Sequence, residues 1–202
     1  INIIDENEQI ALQGTQSSAL TQKNDKFNFC ILYSSIKYLK GRMKDAVDII
    51  TNLINKYKLE KTNCPLNAFL AFLYHEMGKN ILFTKHYEAA KRFKMIELGI
   101  DLRKPKFNPK VKTKYKSPTL TNEQCNSIWY NLISFFNEHE FCEISDKLLE
   151  FIDEEGKNTI EFKLAKSKIC LFFKKNDDVI SLCDEILEVD EKNYLAWVLR
   201  GH

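Results

Sequence analysis

At 202 residues and 44% apolar content the chain can bury a substantial core, yet no apolar run reaches the roughly 18 residues of a membrane span. Six glycines and four prolines against 29% charged residues leave too few tight turns for an all-β fold, which favours helix. The net charge of +2 hides a division: residues 1–119 carry 21 basic and 11 acidic side chains (+10), residues 120–202 carry 9 and 17 (−8).

Residues 1–24 are polar, with a short apolar cluster at Ile3, Ile4, Ile10 and Leu12, and read as a tail or the end of a preceding element. From Asp25 onward Phe29, Leu32, Tyr33, Ile36 and Leu39 fall three and four apart, which predicts a helix ended by Gly41. A partner helix follows with Ala46, Ile49, Ile50, Leu53 and Ile54 on one face. Pro65 suits a first helical turn, where its missing N–H costs nothing, and opens a third helix through Phe69, Phe72 and Met77 to Gly78. A fourth runs from Ile81 to Leu98, with Tyr87, Ala90 and Phe93 inward and Gly99 as its stop. Residues 25–98 therefore form two helical hairpins.

Residues 99–120 interrupt the helices. The stretch Arg103, Lys104, Lys106, Lys110, Lys112, Lys114 and Lys116 holds seven basic residues and no acidic one, and Pro105, Pro109 and Pro118 keep it out of helix. Phe107, Val111 and Tyr115 recur every four residues as anchors. The segment is either an arm for an acidic surface, such as tubulin tails or an acidic partner domain, or a solvated loop between hairpins. Nucleic acid is disfavoured as its partner, because no recognition spacing accompanies it and the second half is acidic.

Residues 121–202 hold two further hairpins and the start of a fifth. Thr121 and Gln124 have capping-box spacing before a helix through Trp129, Leu132, Ile133 and Phe136; Phe141 to Ile152 gives its partner. Asn158 and Glu161 show the same spacing before helices around Leu164–Phe173 and Val179–Val189. Asp190 and Asn193 sit in the turn before Tyr194, where a ninth helix starts and stops short of an independently stable length, so the parent chain is expected to continue. No signal-like segment is visible, which points to an intracellular compartment.

Trp129 and Trp197 stand 68 residues apart, two periods of 34, the length of a helix-turn-helix unit that must stack on copies of itself. The residues resemble the tetratricopeptide repeat, with its W-x2-L-G-x2-Y first helix and A-x3-F-x2-A second helix. Leu132, Phe136, Ser145 and Leu149 fill the slots of the Trp129 unit; Ser167, Cys170, Val179, Cys183 and Ile186 fill the next. The earlier hairpins fit in shifted register through Ser34, Gly41, Ala46 and Ile50, then Ala71, Tyr74, Gly78, Tyr87 and Ala90. Ile133, Phe83 and Lys166 depart from the pattern. The resemblance implies an all-α, right-handed superhelical solenoid of antiparallel hairpins, with Trp129, Trp197, Gly201, Ala46, Ala71 and Ala90 at packing positions. It implies a groove lined by the first helices, where Asn131, Ser134, Glu161 and Lys168 are candidate contacts. The Lys/Asn/Arg clamp of chaperone-binding members has no counterpart, since Ile31, Ser35, Asn131, Ala165 and Leu199 stand at the inner positions.

Adjacent aromatics such as Phe135–Phe136 and Phe172–Phe173 cannot share one seam, because neighbours on a helix point about 100° apart. One member of each pair is expected to meet the next helix or an outside partner. Cys30, Cys64, Cys125, Cys142, Cys170 and Cys183 form no CxxC pair and read as reduced core residues. His139, Glu140 and Cys142 lack the third orienting group and glycine-rich turn a nucleophile needs, and His75 and His86 lack a zinc-ligand pattern. No phosphate-binding loop is present. Neither a metal nor a cofactor is expected.

The function that follows is a non-enzymatic scaffold for protein partners, with no small-molecule substrate. The stretches Tyr74–Lys79 and Ile186–His202, on a Lys/Asn-rich background like that of ciliates, resemble repeat regions of cilia- and flagella-associated proteins of the axonemal central apparatus. That likeness implies a structural role in the cilium or flagellum, with tubulin or other axonemal proteins as partners. The alternative is a partner- or substrate-recognition region of a larger multidomain enzyme or of a trafficking complex of the intraflagellar transport type.

Overall fold

The computed structural model describes residues 23–57, 63–100, 102 and 118–202. The fold is all-α, and no strand occurs among the described residues. The α-helices are α1 (Lys23–Leu39), α2 (Met43–Tyr57), α3 (Cys64–Glu76), α4 (Asn80–Glu97), α5 (Asn122–Glu138), α6 (Cys142–Leu148), α7 (Ile160–Phe172), α8 (Asn176–Val189) and α9 (Tyr194–Gly201). Short 3-10 turns at Leu149–Phe151 and Gly156–Asn158 join α6 to α7.

Consecutive helices pair as hairpins, and the first helix of each new pair packs on both helices of the pair before it. Thus α3 lies on α1 and α2, α5 on α3 and α4, α7 on α5 and α6, and α9 on α7 and α8. The same turn closes all four hairpins. Gly41, Gly78, Glu140 and Lys174 adopt positive φ of 73°, 67°, 62° and 58°. The following residue donates its N–H five positions back: Arg42 to Lys37 O, Lys79 to Tyr74 O, Phe141 to Phe136 O and Lys175 to Cys170 O, all at 2.8–2.9 Å. This is the Schellman arrangement, and it satisfies carbonyls that a helix end leaves open. Second helices start straight from the turn; no side chain caps α4, α6 or α8. First helices are capped instead by Asn63, Thr121, Thr159 and Asn193 for α3, α5, α7 and α9. Thr121 and Gln124 form the expected capping box. The cap of α7 is Thr159 rather than Asn158, whose side chain instead donates to Glu154 O.

Hairpin crossings use small groups. Ser34 Oγ donates to Ala46 O at 2.7 Å, and Ser145 Oγ to Ile133 O at 3.3 Å, each spanning 12 residues. Ser34, Ala46, Ala71, Ala90, Ser145 and Ser167 are all fully buried. The centre of the molecule is α3, on which Leu66 to Tyr74 are buried without a break. A helix apolar all round has to be surrounded, and α1, α2, α4 and α5 surround it. From α3 the core runs into α5 through the tilted rings of Phe69 and Phe136 at 5.3 Å, and it is extended by stacking of Tyr87 on Trp129 at 5.1 Å and Trp129 on Phe151 at 4.5 Å. This core extends from Phe27 to Ile169, and a smaller one, Cys170 to Leu199, serves the last hairpin. Trp197, expected among the packing residues, is 49% exposed, and nothing lies within 4 Å of a Cβ built at Gly201. No helix among the described residues is long and apolar enough to cross a membrane.

Candidate functional site

Asn193 caps α9 four residues ahead of Trp197, whereas α5 starts a turn sooner relative to Trp129, capped by Thr121 eight residues before it. That extra turn stands opposite the start of α7. Between them the loop at residues 153–159 closes the end of a half-open cleft of about 670 Å³. Thr121, Glu123, Ser127 and Tyr130 form one wall, and Glu155, Thr159 and Glu161 the other.

The floor is fixed by a polar lock. Asn126, only 5% exposed, donates from Nδ2 to Asp153 Oδ1 at 2.9 Å and accepts the Asp153 N–H at 3.3 Å. Asp153 Oδ1 also accepts the Gly156 N–H at 2.7 Å, and these bonds, Asn126 first, hold its carboxyl below the usual aspartate range. Gly156 has no room for a side chain: a Cβ would sit 2.4 Å from Asn126 Nδ2 and 2.7 Å from Ile152 Cγ2. Tyr130 spans the cleft, its hydroxyl 3.0 Å from Gly156 O and 3.1 Å from Thr159 Oγ1. Burial pushes its phenol up, the Thr159 contact opposes this, and the charges of Glu161 and Asp153 add to the rise.

Two of the wall hydroxyls spend their protons inside the protein in the same way. Ser127 Oγ gives its proton to Gln124 O at 2.8 Å and Thr159 Oγ1 to Gly156 O at 2.7 Å. The amide of Asn122 and the carboxylates of Glu123, Glu155 and Glu161 also line the cleft, and the three carboxylates form no ion pair among the described residues. Such pairs are common elsewhere on the surface, as in Lys163–Glu185 at 2.9 Å and Arg200–Asp184 at 2.7 Å.

Of the groove candidates, Glu161 lines this cleft. Asn131, Ser134 and Lys168 are exposed but outside its lining, and Ser134 Oγ donates to Glu138 Oε1 at 3.3 Å. The corresponding face of the first two hairpins is closed, with Ser35 and Phe72 fully buried. The basic stretch Arg103, Lys104, Lys106, Lys110, Lys112, Lys114 and Lys116 lies outside the described residues. Periodicity marks faces of helices, so the cleft was missed: it depends on where α5 starts and on the loop at residues 153–159. The Thr121 capping box was the one available signal.

Burial, aided by Glu143 and Glu140, pushes the Cys142 thiol up to about 11, so the reactive thiolate is scarce at neutral pH. His139 points its Nδ1 at Phe135 O, 2.8 Å away. All six cysteines are free, and no group of three His, Cys, Asp or Glu suited to a metal occurs among the described residues. No family model, curated protein or solved structure matches the chain.

Proposed function

We propose that this chain is a non-enzymatic protein-interaction scaffold built as a tandem array of tetratricopeptide-like hairpins. The observation that supports it best is the recurrence of one left-handed turn, at Gly41, Gly78, Glu140 and Lys174, with each first helix laid on the preceding hairpin. Stacked units of this kind contact only their neighbours and offer an extended face to partners. Native-state hydrogen exchange tests the array. Protection should fall stepwise from α3 and α5 toward α9, whereas one uniform level from α1 to α9 would rule it out.

The cellular setting rests on a likeness of the residues to the repeat region of cilia- and flagella-associated protein 70, and the reading is a structural component of the axoneme needed for assembly or motility. In that setting the basic segment binds the acidic tails of tubulin. Reversing Lys110, Lys112, Lys114 and Lys116 to Glu should weaken co-sedimentation with microtubules at low salt while the helical circular dichroism is kept. Unchanged co-sedimentation would sink the tubulin assignment, and tagging the endogenous protein tests the ciliary location itself.

A further inference from the structure

We infer that the outward stripe of α9 seats an amphipathic helix of a protein partner, laid antiparallel to α9 and carrying lysine or arginine in its last turn. The inference rests on the scaffold reading and names the partner for one end of the array. It starts from composition. Tyr194 to Leu199 are six apolar residues in a row, so α9, like α3, is apolar all round. A helix of that kind has to be surrounded. Four helices surround α3, whereas α9 buries only Ala196 and Leu199, against α7 and α8. With neighbours on a helix about 100° apart, Tyr194, Trp197, Val198 and Gly201 form the stripe opposite those two, and all four are exposed.

Register indicates what covers such a stripe. Seven residues ahead of the four left-handed turns stand Ser34, Ala71, Ile133 and Ser167, all buried. In three of them a bond identifies the cover as the second helix of the same hairpin. Ser34 Oγ donates to Ala46 O of α2, Ile133 O accepts from Ser145 of α6, and Ser167 hydrogen-bonds to the Cys183 side chain of α8. Gly201 follows Trp197 as Ile133 follows Trp129, yet nothing lies within 4 Å of a Cβ built on it. The occupant therefore has the chemistry of a second helix. It brings a small residue to the crossing and aliphatic ones four and seven positions on, as do Ala46, Ile50 and Leu53 in α2.

Charge then selects the partner. Antiparallel packing puts the last turn of the occupant beside the start of α9, which follows directly on a strongly acidic stretch. Residues 177–191 hold seven acidic side chains and no basic one. Of these only Asp184 and Glu185 are in ion pairs among the described residues, with Arg200 and Lys163. Against Glu188, Asp190 and Glu191 stands the single Lys192. Lysine or arginine in the last turn of the occupant meets this charge and suits its own helix dipole. A second copy brings the same acidic end, since residues 120–202 carry −8, and is disfavoured.

The test uses the full chain and a capped peptide of residues 43–57, the α2 sequence, which has the small and aliphatic face and Lys56 in its last turn. Trp129 is already buried, so a blue shift of tryptophan emission on titration at low salt reads Trp197. Saturable binding with that shift is expected. It should weaken about threefold for the Lys56→Glu peptide and about tenfold in the Gly201→Leu chain, whose new side chain fills the crossing. Equal affinity of the two peptides would overturn the basic partner, and unchanged affinity in Gly201→Leu would overturn the seat. Without peptide, a blue shift that grows with chain concentration would make a second copy the occupant. Burial of Trp197 in a chain extended past His202, with peptide binding lost, would make that extension the occupant; either result overturns the partner. Absence of binding with the stepwise exchange pattern intact rejects the seat and leaves the scaffold; loss of that pattern rejects the scaffold itself.

Discussion

Trp129 and Trp197 occupy the same register position in their units, and the environments around them are opposite. Trp129 is 1% exposed, held between Tyr87 of the preceding hairpin and Phe151 of its own. Trp197 is 49% exposed; its indole N–H goes to Glu191 O at 2.9 Å, and Arg200 lies 5.6 Å from its ring. The contrast extends to their surroundings. No Phe, Tyr or Trp on α3 or α5 is exposed, whereas Phe172, Phe173, Ile180, Tyr194, Leu195 and Val198 are exposed in the last hairpin and α9. The same spacing thus meets two environments, because what a position contributes depends on whether helices lie on both sides of it.

The largest test of that contrast is truncation of each tryptophan. Trp129→Ala should cost about 3–5 kcal/mol in denaturant unfolding, since it empties a ring stack between two hairpins. Trp197→Ala should cost less than about 1 kcal/mol, as surface substitutions do. Similar losses at the two sites would break the comparison.

The turns should separate the halves in the other direction. Gly41→Ala and Gly78→Ala place a Cβ in a left-handed conformation and should each cost about 1–2 kcal/mol. Glu140→Gly and Lys174→Gly relieve the same strain at φ 62° and 58°, less the added entropy of glycine, and should each raise stability by about 0.5–1 kcal/mol. Thermal midpoints of the four variants decide this, and a loss on either Gly substitution would show that the turn is held by something besides backbone preference.

The smallest effect belongs to a polar contact in the centre. Glu76 at the end of α3 accepts from the Tyr38 hydroxyl and from Lys147 Nζ, joining three hairpins. Burial raises its pKa, but those two hydrogen bonds and the Lys147 charge outweigh it and hold the carboxyl below its ordinary value of 4.5. The native state therefore binds fewer protons than the unfolded chain, so this stability is present at neutral pH and is lost as pH falls below about 4.5. Glu76→Gln should cost under about 1 kcal/mol at pH 7, because the pair is partly open to solvent, and should flatten the acid limb of the stability profile. A variant whose acid limb keeps its slope would remove Glu76 from the account.

How far the sequence reaches follows the same division. Helix number, hairpin pairing and the glycine turns were legible, since apolar spacing and left-handed backbone each leave a direct mark. Glu140 and Lys174 left none: residues without positional preference for positive φ take it there because the flanking helices impose it. The exposure of Trp197 was illegible for a related reason, as periodicity identifies a packing face but not what covers it. Of the residues lining the cleft, Glu161 stands among the groove positions the resemblance implies, while Glu123, Glu155 and Tyr130 do not, because a cleft is made by loops and helix starts that periodicity does not mark.

The ring stack that joins α4, α5 and the 3-10 turn after α6 has a consequence for how the molecule could be made. The interlock of Tyr87, Trp129 and Phe151 is formed by side chains on either side of residues 99–120 and uses no atom of that segment. Covalent continuity there raises the local concentration of one half near the other. The two halves are in that sense subunits of a complex that happen to share a backbone, and a non-covalent pairing of separately synthesised pieces would meet across the same rings.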